Sequence, residues 1–408
     1  MLYKEKIRTY IKFCQSCHVD NRVYFVNLTF NGIFYLDLRD LSIHFLGRAF
    51  NEPANAIGVS IGINVMYKEL LYFFPHNASV IIQYNRLTQI MQEIHIPDFE
   101  DGYFHTADVI VWQNRIYIFP AELSKGIYVY DLQKQEIRKD QALSFLFTKS
   151  KDICVNTFLT QNNCALLSLD GSNRLVEINL ETGKIIQYRV VLPEGLQIYS
   201  VCFDGKHYWI LPRNSLDIYE WDLKNNVVQI YRNENAEWDD NTGTSTVPYS
   251  NLVFLADEIL VLNSGMREIL RLNKMKKTIE NPIPFPEGFR FVNSRFSGWP
   301  ICDHYTVIND RVLFHPSRGN MLLIYDINSK QMSGKELLIS QEDIPYLCDI
   351  ITESFQNNRT IFERDELETL CNFVGIIGQN DIMIQSYSGK NIGNSIYHTL
   401  EEYAEERV

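Results

Sequence analysis

Cysteine is scarce in this sequence, eight in 408 residues, too few for a disulfide-stapled scaffold. Five of the eight (Cys154, Cys164, Cys202, Cys348 and Cys371) sit inside apolar runs, as small buried hydrophobes do. No apolar run approaches the roughly 20 residues that a membrane-spanning helix needs. The first ten residues place charges where a signal peptide would carry an apolar core, so no export signal is expected and the thiols are expected to be reduced, in the cytoplasm. An excess of basic residues is also missing. Fifty Asp and Glu against 38 Lys and Arg give a net charge of −12, the wrong sign for a general binder of nucleic acid or of anionic membranes.

Catalytic signatures are lacking as well. The sequence contains no phosphate-binding G-x-x-x-x-G-K-[ST], no G-x-G-x-x-G after a strand, no G-x-S-x-G and no H-E-x-x-H. Common nucleotide-dependent and serine-hydrolase mechanisms therefore have no support, and no cofactor or metal is expected. Catalysis by residues gathered singly from distant parts of the chain stays open.

What is present in quantity is aromatic and β-branched sequence, arranged in a repeat. Aromatic residues make up 13% of the chain. An Asp or Asn follows an apolar or aromatic residue at positions 37, 85, 131, 179, 222, 273 and 326, at spacings of 48, 46, 48, 43, 51 and 53 residues. Before each anchor lie two runs of five to eight residues rich in Ile, Val, Leu, Tyr and Phe, such as the pair ending at Pro120 and Asp131. These runs read as strands, and the Asp or Asn suits the turn after the second. A third run follows each anchor and a fourth precedes each unit. Four strands per unit, seven times over, predict an all-β chain folded as a seven-bladed β-propeller, in which stacked blades bury each other's faces.

On these repeats the chain resembles the broad β-propeller superfamily, with kelch-like repeat length. It lacks the Gly-His and Trp-Asp pairs of WD40 units and the double glycine of kelch units, and only 20 glycines are present in all. The propeller is expected to span residues 1–340.

From residue 341 the period of two gives way to helical spacing. Ile344, Leu347, Ile351 and Phe355 share one face, and Leu367, Leu370, Val374 and Ile377 another. A helical extension over 341–408 is expected, either to pack on the propeller or to dock a protein partner.

Cys14-Gln-Ser-Cys17-His18 has the C-x-x-C-H spacing of haem attachment. It falls where the first strand of blade 1 belongs, so strand packing is the expected role. A zinc site would need a second ligand pair, and none follows.

Function is expected on the face that carries the Pro-marked turns after each second strand and the long connections between blades. That face would gather His76, His105, Glu122, Arg213, Trp238, Asp240, Trp299 and Arg318. Mixed charges beside aromatics suit a protein, peptide or glycan ligand. The alternative is a lyase, hydrolase or epimerase acting on a carbohydrate or peptide at the channel mouth. Its acid/base would come from His315, His304 and Asp303, because imidazole titrates near neutral pH.

Overall fold

A computed structural model describes residues 13–27, 32–48, 61–76, 78–97, 104–145, 147, 153–160, 163–170, 172–233, 247–264, 268–289, 301–317, 319–340 and 342–343. Seven sheets follow one another along the chain, each built on four consecutive antiparallel strands, the first with a fifth, parallel strand added from beyond the last. The first strands are Phe13–Val19, Ile61–Tyr67, Thr106–Trp112, Cys154–Leu159, Ile198–Phe203, Tyr249–Phe254 and Cys302–Ile308. Each touches the first strand of the next sheet, and the seventh touches the first. They form the inner ring around the axis, and the molecule is a closed seven-bladed propeller.

The hydrophobic pattern explains the stacking. Second strands are buried on both faces between neighbouring blades, so they read as continuous apolar runs, as in Cys164–Leu169, where every residue is buried. Fourth strands lie at the perimeter and are largely polar, as in Gln331–Lys335. Seven hydrophobic clusters fill the seven junctions between blades. The one at the seam joins Phe13, Phe25 and Phe34 of blade 1 to Leu313 and Leu322 of blade 7. Each fully buried Phe or Leu there contributes roughly 1.5–3 kcal/mol.

All seven anchors end third strands. Their side chains accept backbone N–H bonds from the turn that follows: Asn179 Oδ1 takes those of Glu181 (3.1 Å) and Thr182 (2.8 Å), and Asp222 Oδ1 those of Lys224 (2.9 Å) and Asn225 (3.1 Å). Four residues after every anchor the backbone is left-handed: Leu41, Gln89, Gln135, Gly183, Asn226, Lys277 and Lys330 have φ between 50° and 70°. The anchors thus initiate one turn, used seven times.

Closure has a part that the repeat does not reveal. After blade 7, Leu338–Ile339 pairs in parallel with Ser42 and Ile43 in the outermost strand of blade 1. Ser340 N–H then donates to Ile43 O at 2.7 Å. The helical extension expected from residue 341 falls on residues 344–408, outside the described residues. Among the described residues the one α-helix is Gln141–Phe145, and no helix is long and apolar enough to cross a membrane.

Candidate functional site

The chemistry-bearing residues lie in two places, the inner ring and the rim above it. In all seven blades the ladder between first and second strands breaks register near the same end. Such bulges re-aim a side chain. At or beside the breaks stand Ser16, Asn64, Asp108, Asn156, Ser200, Asn251 and His304, a polar residue from each inner strand.

Most of these groups bolt one blade to the next. Asn64 Nδ2 donates to Gln15 O (3.1 Å), and Asp108 Oδ2 accepts from Thr157 N (2.7 Å). Asn156 Nδ2 donates to Ser200 Oγ and to Val201 O, both at 3.1 Å. Ser250 Oγ donates to Cys302 O at 2.9 Å. The seam itself is held by Ser317 Oγ donating to Phe13 O at 3.0 Å. Each bond satisfies a polar group that the stacked blades would otherwise strand. The sequence cue to this ring is a polar residue at or before the middle of each first strand, as in Asp108 of Thr106–Trp112 and Ser200 of Ile198–Phe203.

Asp108 is the one carboxyl among these seven residues. Burial pushes its pKa up to about 6, against the pull of the Thr157 and Val109 N–H donors and of His304. That brings a carboxyl into the range useful for proton transfer.

His315 departs from its expected place. Its side chain is buried inside the wall, 1% exposed. Nδ1 lies 2.6 Å from Ser16 Oγ of blade 1, Nε2 lies 3.1 Å from Thr306 Oγ1, and the ring stacks on Phe13. Burial holds the imidazole neutral, with its pKa pushed down to about 3. The reason is register: His315 is the residue before Pro316 and still inside the second strand, so it faces the neighbouring blade and leaves the rim to the turn beyond. His304 pairs with it in the ladder from the inner strand, with Asp303 at the register break.

The rim residues separate into two groups. His76, just beyond the second strand of blade 2, and His105, entering blade 3, meet with ring centroids 3.9 Å apart. Burial pushes His76 down to about 3, with His105 adding to the effect. Burial also lowers His105, helped by the Lys125 ammonium and opposed by Glu122. Lys125 and Glu122 form an ion pair at 3.5 Å. The backbone fixes this corner: Ala121 N donates to His105 O at 2.8 Å, and Glu122 bridges Ile153. Arg213 belongs elsewhere on the rim, paired with Asp170 at 2.6 Å and set over the Tyr199 ring at 5.7 Å. Its charge is therefore already matched within the protein. Trp238, Asp240, Trp299 and Arg318 lie outside the described residues.

The C-x-x-C-H run forms the first strand of blade 1. Cys14 is buried, and Cys17 packs in the core between blades 1 and 2. Burial pushes the Cys17 thiol up to about 11, the opposite of an activated or metal-ready thiol.

No protein-family model and no curated protein matches the sequence. Solved structures do. A catalytically inactive virginiamycin B lyase from Staphylococcus aureus with quinupristin is similar at TM-score 0.55 and 12% identity, over 78% of this chain and 94% of that one. A streptogramin B lyase is similar at 0.53 and 13%, over 81% and 94%. The extracellular domain of a putative one-component system from B. thetaiotaomicron is similar at 0.52 and 12%, over 78% of this chain. This chain spans only 40% of that protein's length. At such identities the likeness is one of fold, and the propeller is what these proteins share with the chain.

Proposed function

We propose that the chain is a non-catalytic propeller that binds a protein, peptide or glycan through its loop-rich face, with His76, His105 and Glu122 at the centre of the contact. The observation that carries this reading is the His76–His105 pair. Two imidazoles from adjacent blades meet at 3.9 Å beside a matched Glu122–Lys125 pair, and burial keeps both neutral. Imidazole chemistry combines a donor, an acceptor and an aromatic face, which suits amide and hydroxyl groups. A cytoplasmic setting is part of the proposal, supported by Cys14, Cys17, Cys154, Cys164, Cys202 and Cys302, which stand as thiols outside any disulfide.

The enzyme reading loses its leading acid/base, because both ring nitrogens of His315 are engaged in the wall. It keeps one supporting observation, the Asp108 carboxyl near pKa 6 on the inner ring. Two of the similar propellers are lyases, which fits the same alternative at the level of fold alone.

Peptide and glycan arrays probed with the full chain, followed by calorimetry, separate the two. The expected ligand is recovered unchanged, and its affinity falls about tenfold or more in His76→Ala/His105→Ala and stays put in Asp108→Asn. Turnover of the ligand that disappears in Asp108→Asn would overturn the binding reading.

A further inference from the structure

The parallel strand that closes the ring brings to His44 two adjacent side chains that the sequence holds 298 and 299 residues away, Glu342 and Asp343. His44, in the outer strand of blade 1, has Nδ1 at 3.4 Å from Asp343 Oδ2 and 3.5 Å from Glu342 Oε1. The three potential ligand atoms lie within 4.8 Å of one another. Both carboxylates sit in the turn just after Leu338–Ile339, so they reach His44 only because that strand is paired.

The hydrogen bonds around His44 settle its tautomer. Ser42 Oγ donates its one proton to Asp40 Oδ1 at 2.6 Å. The same oxygen lies 2.9 Å from His44 Nε2. With its proton committed to Asp40, Ser42 Oγ can only accept there, so Nε2 carries the hydrogen. Nδ1 is then the nitrogen that faces the two carboxylate oxygens. One ring nitrogen and two carboxylate oxygens converge on one point, where a positive charge between them is attracted to all three.

We infer that His44, Glu342 and Asp343 bind a divalent ion of the zinc type, which clamps the segment after blade 7 to the outer edge of blade 1. Distances support the choice. Neighbouring ligands of a tetrahedral ion with bonds of about 2.1 Å are about 3.4 Å apart, which is the spacing of Nδ1 from each carboxylate. The surroundings are those of ligands. The second ring nitrogen of His44 is held by Ser42, and Asp343 Oδ2 also accepts from Phe45 N at 3.1 Å. Supporting bonds of this kind fix the orientation of metal-binding side chains. Tyr35 stacks on the imidazole with centroids 4.7 Å apart and covers one face. Glu342 is 75% exposed, leaving the fourth position to water. One nitrogen and two carboxylates favour zinc or manganese over soft ions.

Zinc titration of the full chain by calorimetry, read beside its melting temperature and its cleavage by protease after Lys335, tests the clamp. One equivalent of Zn2+ is expected to bind, to raise the melting temperature and to protect that segment. His44→Gln and Glu342→Gln are expected to lose about tenfold or more in affinity, while His95→Gln, an exposed histidine elsewhere on blade 2, keeps it. Because the Glu342 side chain is exposed, Glu342→Gln leaves the metal-free chain folded and separates ligand loss from misfolding. Cobalt in place of zinc should give the intense visible bands of a four- or five-coordinate site. Absence of zinc binding would overturn the proposal. So would binding of the same affinity in His44→Gln and Glu342→Gln, which would place the ion elsewhere.

Discussion

Ser16 Oγ of the first blade and His315 Nδ1 of the last lie 2.6 Å apart, so a side-chain hydrogen bond spans the point where the ring shuts. The His315 end is buried, with the Phe13 ring stacked on the imidazole, and removing Ser16 strands Nδ1 there. Ser16→Ala is expected to cost about 1–3 kcal/mol in chemical denaturation. Equal stability of Ser16→Ala and the parent chain would show that the seam rests on its apolar cluster alone.

Acid should open the same seam. The folded pKa of His315 is pushed down to about 3, whereas an unfolded histidine titrates at about 6.5. The unfolded chain therefore binds the extra proton first, and stability contributed by this group is lost as pH falls from about 6.5 towards 3. His76, also pushed down to about 3, acts in the same direction. Melting temperature is expected to fall across that window, with a shallower slope in His315→Gln.

Asp108 opposes this trend over a narrower range. Its carboxyl takes up a proton near pH 6 when folded and near 3.9 when unfolded. Folding is thus helped by this group as pH falls from about 6 to about 4, and penalised above 6. Carbon-13 NMR of the aspartate carboxyls should show one resonance with a midpoint near 6 that vanishes in Asp108→Asn. A midpoint below 4 would mean that the Thr157 and Val109 donors outweigh burial.

The repeated turns offer a conformational test. Asn179→Ala removes the acceptor for the Glu181 and Thr182 N–H groups and is expected to cost about 0.5–2 kcal/mol. Gly183 sits at φ 70°, and an added Cβ would meet nothing closer than Leu143 Cδ2 at 3.9 Å. The cost of Gly183→Ala is then purely one of backbone conformation, about 1–2 kcal/mol. Gln135→Gly, at φ 56° in the equivalent turn, should be neutral or slightly stabilising.

These turns also explain what the sequence made legible. Asp or Asn at each anchor performs one local job, and local jobs recur with the repeat, so blade number and strand order could be read from positions 37 to 326. The inner ring was hidden because its residue type varies: Asn64, Asn156 and Asn251 in three blades, Ser16 and Ser200 in two, Asp108 and His304 in one each. His315 was misplaced by one residue of register at a Pro-marked strand end. The His44 site was invisible for a different reason. Its ligands meet through a two-residue parallel strand, too short to leave a periodic trace, and only the closed ring makes them neighbours.

Blades 6 and 7 share a charge that only the fold explains. Glu258, in the second strand of blade 6, is 5% exposed. Its Oε2 accepts from Arg271 Nε at 2.9 Å and Nη2 at 2.7 Å, and its Oε1 accepts from the Tyr325 hydroxyl of blade 7 at 2.7 Å. Two guanidinium N–H donors on Oε2 and a phenol on Oε1 together satisfy the carboxylate, so its burial is tolerated. The pair need not add net stability, since desolvation offsets much of the attraction. Breaking it is another matter. Glu258→Ala leaves the Arg271 guanidinium, 16% exposed, with Glu280 at 3.4 Å as its remaining carboxylate among the described residues, and leaves the Tyr325 hydroxyl without its acceptor. The expected loss is about 3–5 kcal/mol. Replacing the pair with apolar residues, as in Glu258→Leu/Arg271→Met, should recover most of that loss, because the uncompensated charge is gone. Denaturant unfolding of both variants decides the point. A double variant as unstable as Glu258→Ala would mean that the Tyr325 bond across the blades, rather than the ion pair, carries the junction.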